Sequence, residues 1–232
     1  MKQRTIRFAA VGGGVAAIVV VAGIVWFLGR SGPAGPDLEA ASGNLPADGP
    51  AAPADVEGIW TVNPEVGEGS FVGYRVEETL SGVGSNTAVA RSSAVEGTVE
   101  IDDGSLVDAT VTADLRELRS DDSRRDGMIA SALDVTALPS ATFTLTEPVE
   151  LPVEAADGEP FDVTAVGELT IREVTRQAEA TLQGLVRDGA AVVVGALPVT
   201  FADYGVDVPN VPIVLSAEDH GLVELQLFLV RQ

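Results

Sequence analysis

The chain has 232 residues, with 35 acids against 14 bases, a formal charge of −21, no cysteine and one histidine, His220. The missing thiols exclude disulfides, thiolate metal sites, a Cys-His protease and a lipid attached through an N-terminal cysteine. The negative balance argues against nucleic acid, which needs a basic face, and a hydrophobic content of 46% excludes wholesale disorder.

Residues 1–30 read as a transmembrane anchor, with an uncleaved or long signal peptide as the other reading. Lys2, Arg4 and Arg7 precede an uncharged run from Phe8 to Leu28, long enough for the roughly 20 residues of a spanning helix. Secretory cores are shorter and end at a small-x-small site; this run ends in Trp26-Phe27-Leu28-Gly29-Arg30. Bases before the run and acids after it place the N-terminus in the cytoplasm. The expected location is therefore the cell membrane, single-pass through residues 8–28, with the globular part extracytoplasmic.

Residues 31–58 are rich in Pro, Gly and Ala, carry acids with no base beside them, and hold little apolar bulk. Such a stretch cannot offset its ordering entropy by burial, so it is expected to be a disordered, extended linker.

Residues 59–232 form the globular unit, and its dominant signal is period two. Val95 to Ile101 alternates strictly. Val107, Ala109, Val111, Ala113 and Leu115 alternate with polar neighbours. So do Phe143 and Leu145, the series Phe161 to Ile171 broken by Val166, the series Ala178 to Val186 broken by Leu185, and Val223, Leu225, Leu227 and Leu229, which alternate with Glu224, Gln226 and Phe228. Each reads as an antiparallel strand with one wet face. Asp102-Asp103-Gly104-Ser105, Asp157-Gly158 and Asp188-Gly189 supply turns. Long strands at such spacing give an all-β barrel or sandwich. Arg116–Leu133 breaks the period and predicts one inserted short helix, with Ser120 as N-cap, Asp121 and Asp122 in the first turn, and Met128, Ile129 and Leu133 on one side.

Catalytic signals are weak. Gly12-Gly13-Gly14 lies in the apolar run and is no phosphate loop; Glu77-Glu78, Asp102-Asp103 and Asp121-Asp122 lack EF-hand spacing; there is no GxSxG elbow. His220, in a turn before the last strand, reads as an exposed turn residue rather than the base of an esterase or isomerase. Small inward residues, Gly97, Ala109, Gly167 and Gly184, would leave interior volume for something else to occupy, and an eight-stranded barrel is the size at which the interior is either filled or holds one small ligand.

Several stretches in order resemble the YceI-like family of lipocalin-like polyisoprenoid-binding proteins, over about residues 60–231. Trp60-Thr61-Val62-Asn63-Pro64 resembles W-x-[IVL]-D-P, and Ser70 to Val76 the family's first strand. Gly97 to Asp102 resembles G-x-[IV]-x-[IFV]-D. Arg125-Asp126 followed by Ser131 to Asp134 resembles the RD helix and S-x-D-[FL]. Leu138 to Phe143 resembles Y-P-x-[AI]-x-F. Gly167 to Arg176 resembles G-x-L-T-[IL]-x-G-V-[TS]-[RK], with Glu173 for Gly, and Phe201 to Val206 resembles [RK]-x-D-[FWY]-G-[IVL].

The resemblance implies an extended antiparallel lipocalin-like β-barrel holding a long isoprenoid lipid, a polyprenyl chain or an isoprenoid quinone, with no catalytic cofactor, no metal and no covalent chemistry. The expected lumen-facing positions are Val72, Tyr74, Val76, Val99, Ile101, Val111, Phe143, Leu145, Leu169, Leu182, Val199, Leu225 and Leu227. Glu78, Arg125 and Asp126 would mark the head-group end. Glu78 stands where the family often has His, and would repel an anionic head, so a neutral lipid such as a quinone is expected. Arg125 and Asp126 are expected to be a structural pair holding the helix to the barrel. The partners expected are an isoprenoid lipid and the membrane, with no nucleic acid; no protein partner can be named from these residues. The alternative is a structural or interaction domain with a filled interior and no ligand.

Overall fold

The alternating segments become twelve antiparallel strands in the computed structural model, which describes residues 32–45, 55–63, 69–82, 84–208 and 214–232. These are β1 (Gly58–Val62), β2 (Phe71–Leu80), β3 (Gly84–Ser92), β4 (Val95–Asp102), β5 (Ser105–Asp114), β6 (Ser140–Leu145), β7 (Val149–Glu150), β8 (Phe161–Ile171), β9 (Val174–Arg187), β10 (Ala190–Thr200), β11 (Val214–Ala217) and β12 (His220–Arg231). The helices are short: α1 (Leu38–Ser42), α2 (Ser123–Leu133) and α3 (Val153–Asp157).

Eight strands close a ring in the order β1-β4-β5-β6-β8-β9-β10-β12, with β12 returning to β1. Closure leaves no open sheet edge around that ring. β12 is long enough to serve two neighbours on one side. Its Leu229–Arg231 end pairs with β1, and its Leu222–Gln226 stretch pairs with β2. β3 pairs with β2 from Val72 to Leu80, and β11 continues the β12 side beyond it.

Period two holds around the ring, with one shift of phase. A bulge between Glu100 and Ile101 sets Ile101 opposite Leu106. Leu106 is therefore buried and Val107, expected inside, is exposed. The continuous interior core runs from Trp60, Ile101 and Leu106 through Leu145, Leu169 and Ala180 to Leu197 and Tyr204.

The helix prediction needs one correction. The N-cap of α2 is Asp122, whose Oδ1 accepts from the Arg124 amide at 2.8 Å. Ser120 lies outside the helix, and its amide and hydroxyl both donate to Asp126 Oδ1. Two caps thus close one helix start. At the other end Asp134 takes the left-handed conformation with φ 51°, as Asp does more readily than most residues.

Residues 33–45 depart from the extended tether expected over 31–58. Asp37 caps α1 by accepting from the Ala40 amide, and Leu38, Ala41 and Leu45 are buried against Leu185, Ala190, Val192, Val194 and Phe228 on the outside of β9, β10 and β12. Average composition hid this, because three apolar residues at helical spacing suffice where an apolar seat exists. The predicted anchor over residues 8–28 lies outside the described residues; among the described residues no helix is long and apolar enough to cross a membrane.

Candidate functional site: the barrel interior and its polar end

The interior is built by register. Trp60 faces Val99, Val99 faces Ala109, Val111 faces Phe143 and Phe143 faces Leu169, so one apolar layer passes from strand to strand. The end near the β4–β5 turn is filled. Trp60 is fully buried with Nε1 donating to the Val56 carbonyl at 2.8 Å, and Val56, Ala155 and Leu106 close around it.

Elsewhere the lining is incompletely covered. Val62, Val99, Val111, Phe143, Val163, Leu182, Val193 and Leu225, one inward residue on each strand of the ring, are only half-buried. A filled core buries such residues outright. These side chains keep solvent contact while pointing inward.

Of the expected lumen positions, Ile101, Leu145, Leu169 and Val199 belong to the interior core, with Val99, Phe143 and Leu182 packed against it. Val72, Val76, Val111, Leu225 and Leu227 share the inward side by strand alternation; Val76 and Leu227 are buried and the other three half-buried. Tyr74 sits apart, under α2, with Ala90, Leu115, Leu118, Val135 and the α2 residues Ile129 and Leu133.

The expectation that inward glycines leave free volume is corrected by the structure. A Cβ on Gly167 would lie 2.4 Å from the Phe143 ring, and one on Gly184 would lie 2.4 Å from the Phe161 ring. The neighbouring aromatics fill those spaces. An open cleft of about 360 Å³ lies between Val149–Pro152 and Asp162–Thr164.

The α2 end is polar. Glu78 points inward from β2, and its carboxylate is buried. Its Oε1 accepts from Asn86 Nδ2 at 2.7 Å and from Arg125 Nη2 at 3.0 Å. Arg125 also pairs with Asp121 one turn earlier. Both carboxylates hold the Arg125 guanidinium above its ordinary pKa, against the opposing effect of burial, which is the largest single influence. Arg125 and Asp126 do not bond to each other: Arg125 ties α2 to β2, whereas Asp126 closes the helix start on Ser120. The Tyr74 hydroxyl, close to this cluster, is buried without a hydrogen-bond partner. Burial raises its pKa well above the ordinary tyrosine value, with Arg125 opposing and Asp126 and Glu78 adding to the rise.

Sequence reasoning missed Asn86 and Asp121, because their contacts need the β2–β3 register and the fold of the loop before α2. It also missed Glu224. This carboxylate is buried on the outer face, with Arg75 Nε at 2.5 Å and Arg91 Nη2 at 3.8 Å. The same two arginines donate to the carbonyls of Pro33 and Ala34, and so fasten residues 33–45 to the barrel. His220 is exposed, with Asp219 and Glu218 on its two ring nitrogens. Among the described residues no group of three or more His, Asp or Glu is placed to hold a metal ion.

The described residues thus form a closed eight-stranded antiparallel barrel with an apolar interior, filled at one end and polar at the other. The chain belongs to the family described as the YceI-like domain, whose model matches residues 60–228. The fold is similar to that of a polyisoprenoid-binding domain from Saccharophagus degradans implicated in plant cell wall breakdown, at 17% identity and TM-score 0.58, covering 75% of this chain and 98% of that one. It is also similar to BcnA of Burkholderia cenocepacia, at 18% identity and TM-score 0.52, covering 68% and 95%. No curated protein matches the sequence.

Proposed function

We propose that the protein is a membrane-anchored, extracytoplasmic carrier that holds a long isoprenoid-type lipid, a polyprenyl chain or an isoprenoid quinone, inside the barrel for sequestration or transport. No covalent step belongs to this reading. The observation that carries it is the ring of inward, apolar, half-buried side chains, one per strand, in a barrel whose ends differ in polarity. Family membership and the neighbour from Saccharophagus degradans, a polyisoprenoid-binding domain, support it. Residues 8–28 supply the anchor in this reading.

Energetics fit a carrier. A tail of about 40 carbons at roughly 0.8 kcal/mol per CH₂ would exceed any real affinity, so ordering costs consume most of the gain. The tail then gives grip but little selectivity, since one methylene changes binding by about 1–3 kcal/mol.

Native mass spectrometry of Pro33–Gln232, exported and purified without detergent, followed by organic extraction, tests the reading. A discrete extra mass that extracts as an isoprenoid is expected. Val99→Arg, which puts a charge among the half-buried lining, should abolish it. A folded Val99→Arg variant carrying the same lipid would sink the proposal. A protein that carries no lipid and also takes up no added quinone or polyprenol would support the filled structural domain, which the aromatic cover over Gly167 and Gly184 favours.

A further inference from the structure

The barrel wall is not bonded along its whole height. β6 stops at Leu145, whose partner on β8 is Gly167, and one further bond runs from the Thr146 amide to the Val166 carbonyl at 3.0 Å. Pro148 follows and has no amide to carry the ladder on. β7 then turns to β5: Val149 and Glu150 pair with Leu106 and Ser105, and the Leu151 amide donates to the Gly104 carbonyl. Among the described residues no backbone hydrogen bond joins Val149–Pro152 to the start of β8, Phe161 to Ala165. A seam is left in the wall, and the cleft of about 360 Å³ lies in it.

The seam meets the interior. Val163, on one side of the cleft, is the half-buried inward residue of β8 and stands opposite Leu182 on β9. Val149 and Leu151, on the other side, pack against the interior core. Glu150, Asp162 and Thr164 are exposed and make the outer rim. The axial way out next to the seam is shut, because Trp60, Val56, Leu106 and Ala155 close that end.

Length then decides where a long tail must go. β8 and β10 have 11 residues each; at about 3.3 Å per residue and a tilt near 40° they span about 28 Å along the barrel axis. The filled end takes a share of that. A C40 isoprenoid tail has eight five-carbon units and reaches about 40 Å when extended, whereas a C20 tail reaches about 20 Å. The shorter tail fits the interior straight and the longer one does not. A barrel of eight strands has room for side chains or one small ligand, so doubling the tail back inside it is not an option.

We propose that the seam between β7 and β8 is a side port, and that the far end of a long, uncharged isoprenoid tail passes through it into the cleft. This rests on the interior-lipid reading above and adds where the tail ends.

The test uses the full chain in detergent micelles and two uncharged probes, geranylgeraniol with 20 carbons and solanesol with 45. The chain has no cysteine, so Glu150→Cys can be labelled at that rim position alone with benzophenone maleimide. Irradiation should give a covalent adduct with solanesol, read by mass spectrometry, and none with bound geranylgeraniol. Thr164→Trp, on the opposite rim, should obstruct the cleft and weaken solanesol about tenfold, the worth of roughly two buried methylenes, while geranylgeraniol binds as in the wild type. Solanesol that binds without labelling position 150, equal labelling by geranylgeraniol, or a wild type that takes only the shorter prenol overturns the port and leaves the interior reading standing. If Thr164→Trp loses both prenols, the cross-link alone decides. Failure of the wild type to bind either prenol removes the lipid reading, and the port with it.

Discussion

Residues 33–45 should be part of the barrel's stability rather than a spacer, and Leu38→Ala with Leu45→Ala is the perturbation that shows it. The two leucines retain 8% and 5% exposure, and they cover Val192 and Phe228, both at 0%. Truncating a buried leucine costs about 2–5 kcal/mol, and a shallow outer seat places each substitution near the lower bound, about 2 kcal/mol. The losses should fall short of additive, because the deficit saturates once the segment leaves its seat. The double variant should therefore lose about 3 kcal/mol in urea unfolding of the full chain. Hydrogen exchange should locate the change. The amides of Ala40, Ala41, Asn44 and Leu45 are all hydrogen-bonded within this segment and should lose protection before the strands do. Leu215→Ala, at a site 67% exposed on β11, is the comparison and should stay within about 0.5 kcal/mol of wild type. A double variant with the wild-type midpoint and wild-type protection at these amides would show that the segment is a passive tether after all.

Gly167→Ala should destabilise more than Gly184→Ala. The first Cβ meets both the Phe143 ring and the Thr144 carbonyl oxygen at 2.4 Å, whereas the nearest atoms to the second all belong to the Phe161 ring, which can swing away; thermal melts should show a loss of about 1–3 kcal/mol for the first, and equal melts would refute the close approach. The hydrogen bond that His220 donates to Asp219, with Glu218 beside it, raises the His220 pKa above 6.5. Its stabilisation is then complete below pH 6.5 and fades as pH rises through the raised folded value, so an NMR titration of this single histidine should give a midpoint above 6.5 in the native chain that falls back in urea. A native midpoint at or below 6.5 would contradict the Asp219 contact.

The strands were legible because one apolar face repeats every second residue. The expected alternations over 95–101, 161–171 and 223–229 fall within β4, β8 and β12. The departures from alternation carried information too. Leu185 and Phe228 break the pattern, and both lie on the outer face as part of the seat for α1. Period two reports which face a residue takes; it does not say that an outward apolar residue is covered by a segment more than a hundred residues away. Val107 failed for a related reason. A bulge adds one residue to one strand, and a periodic pattern cannot register a phase shift that its own residues do not betray.

The polar end was only partly legible, and the reason is geometric. Glu78, Arg125 and Asp126 were singled out by position in a motif, and the structure joins the first two while giving the third to Ser120. What decides the chemistry of that end is how many hydrogen-bonding groups are already spoken for. Asn86 faces Glu78 across the β2–β3 register, and Asp121 reaches Arg125 because the helix starts at Ser123, not earlier. With those two in place the Arg125–Glu78 pair already has its partners, and the Tyr74 hydroxyl close to it is buried without one. Tyr74 read as one more apolar lining residue, since alternation scores its ring and is blind to its hydroxyl. That hydroxyl acquires meaning only when α2 closes over it and takes away the water that would otherwise satisfy it.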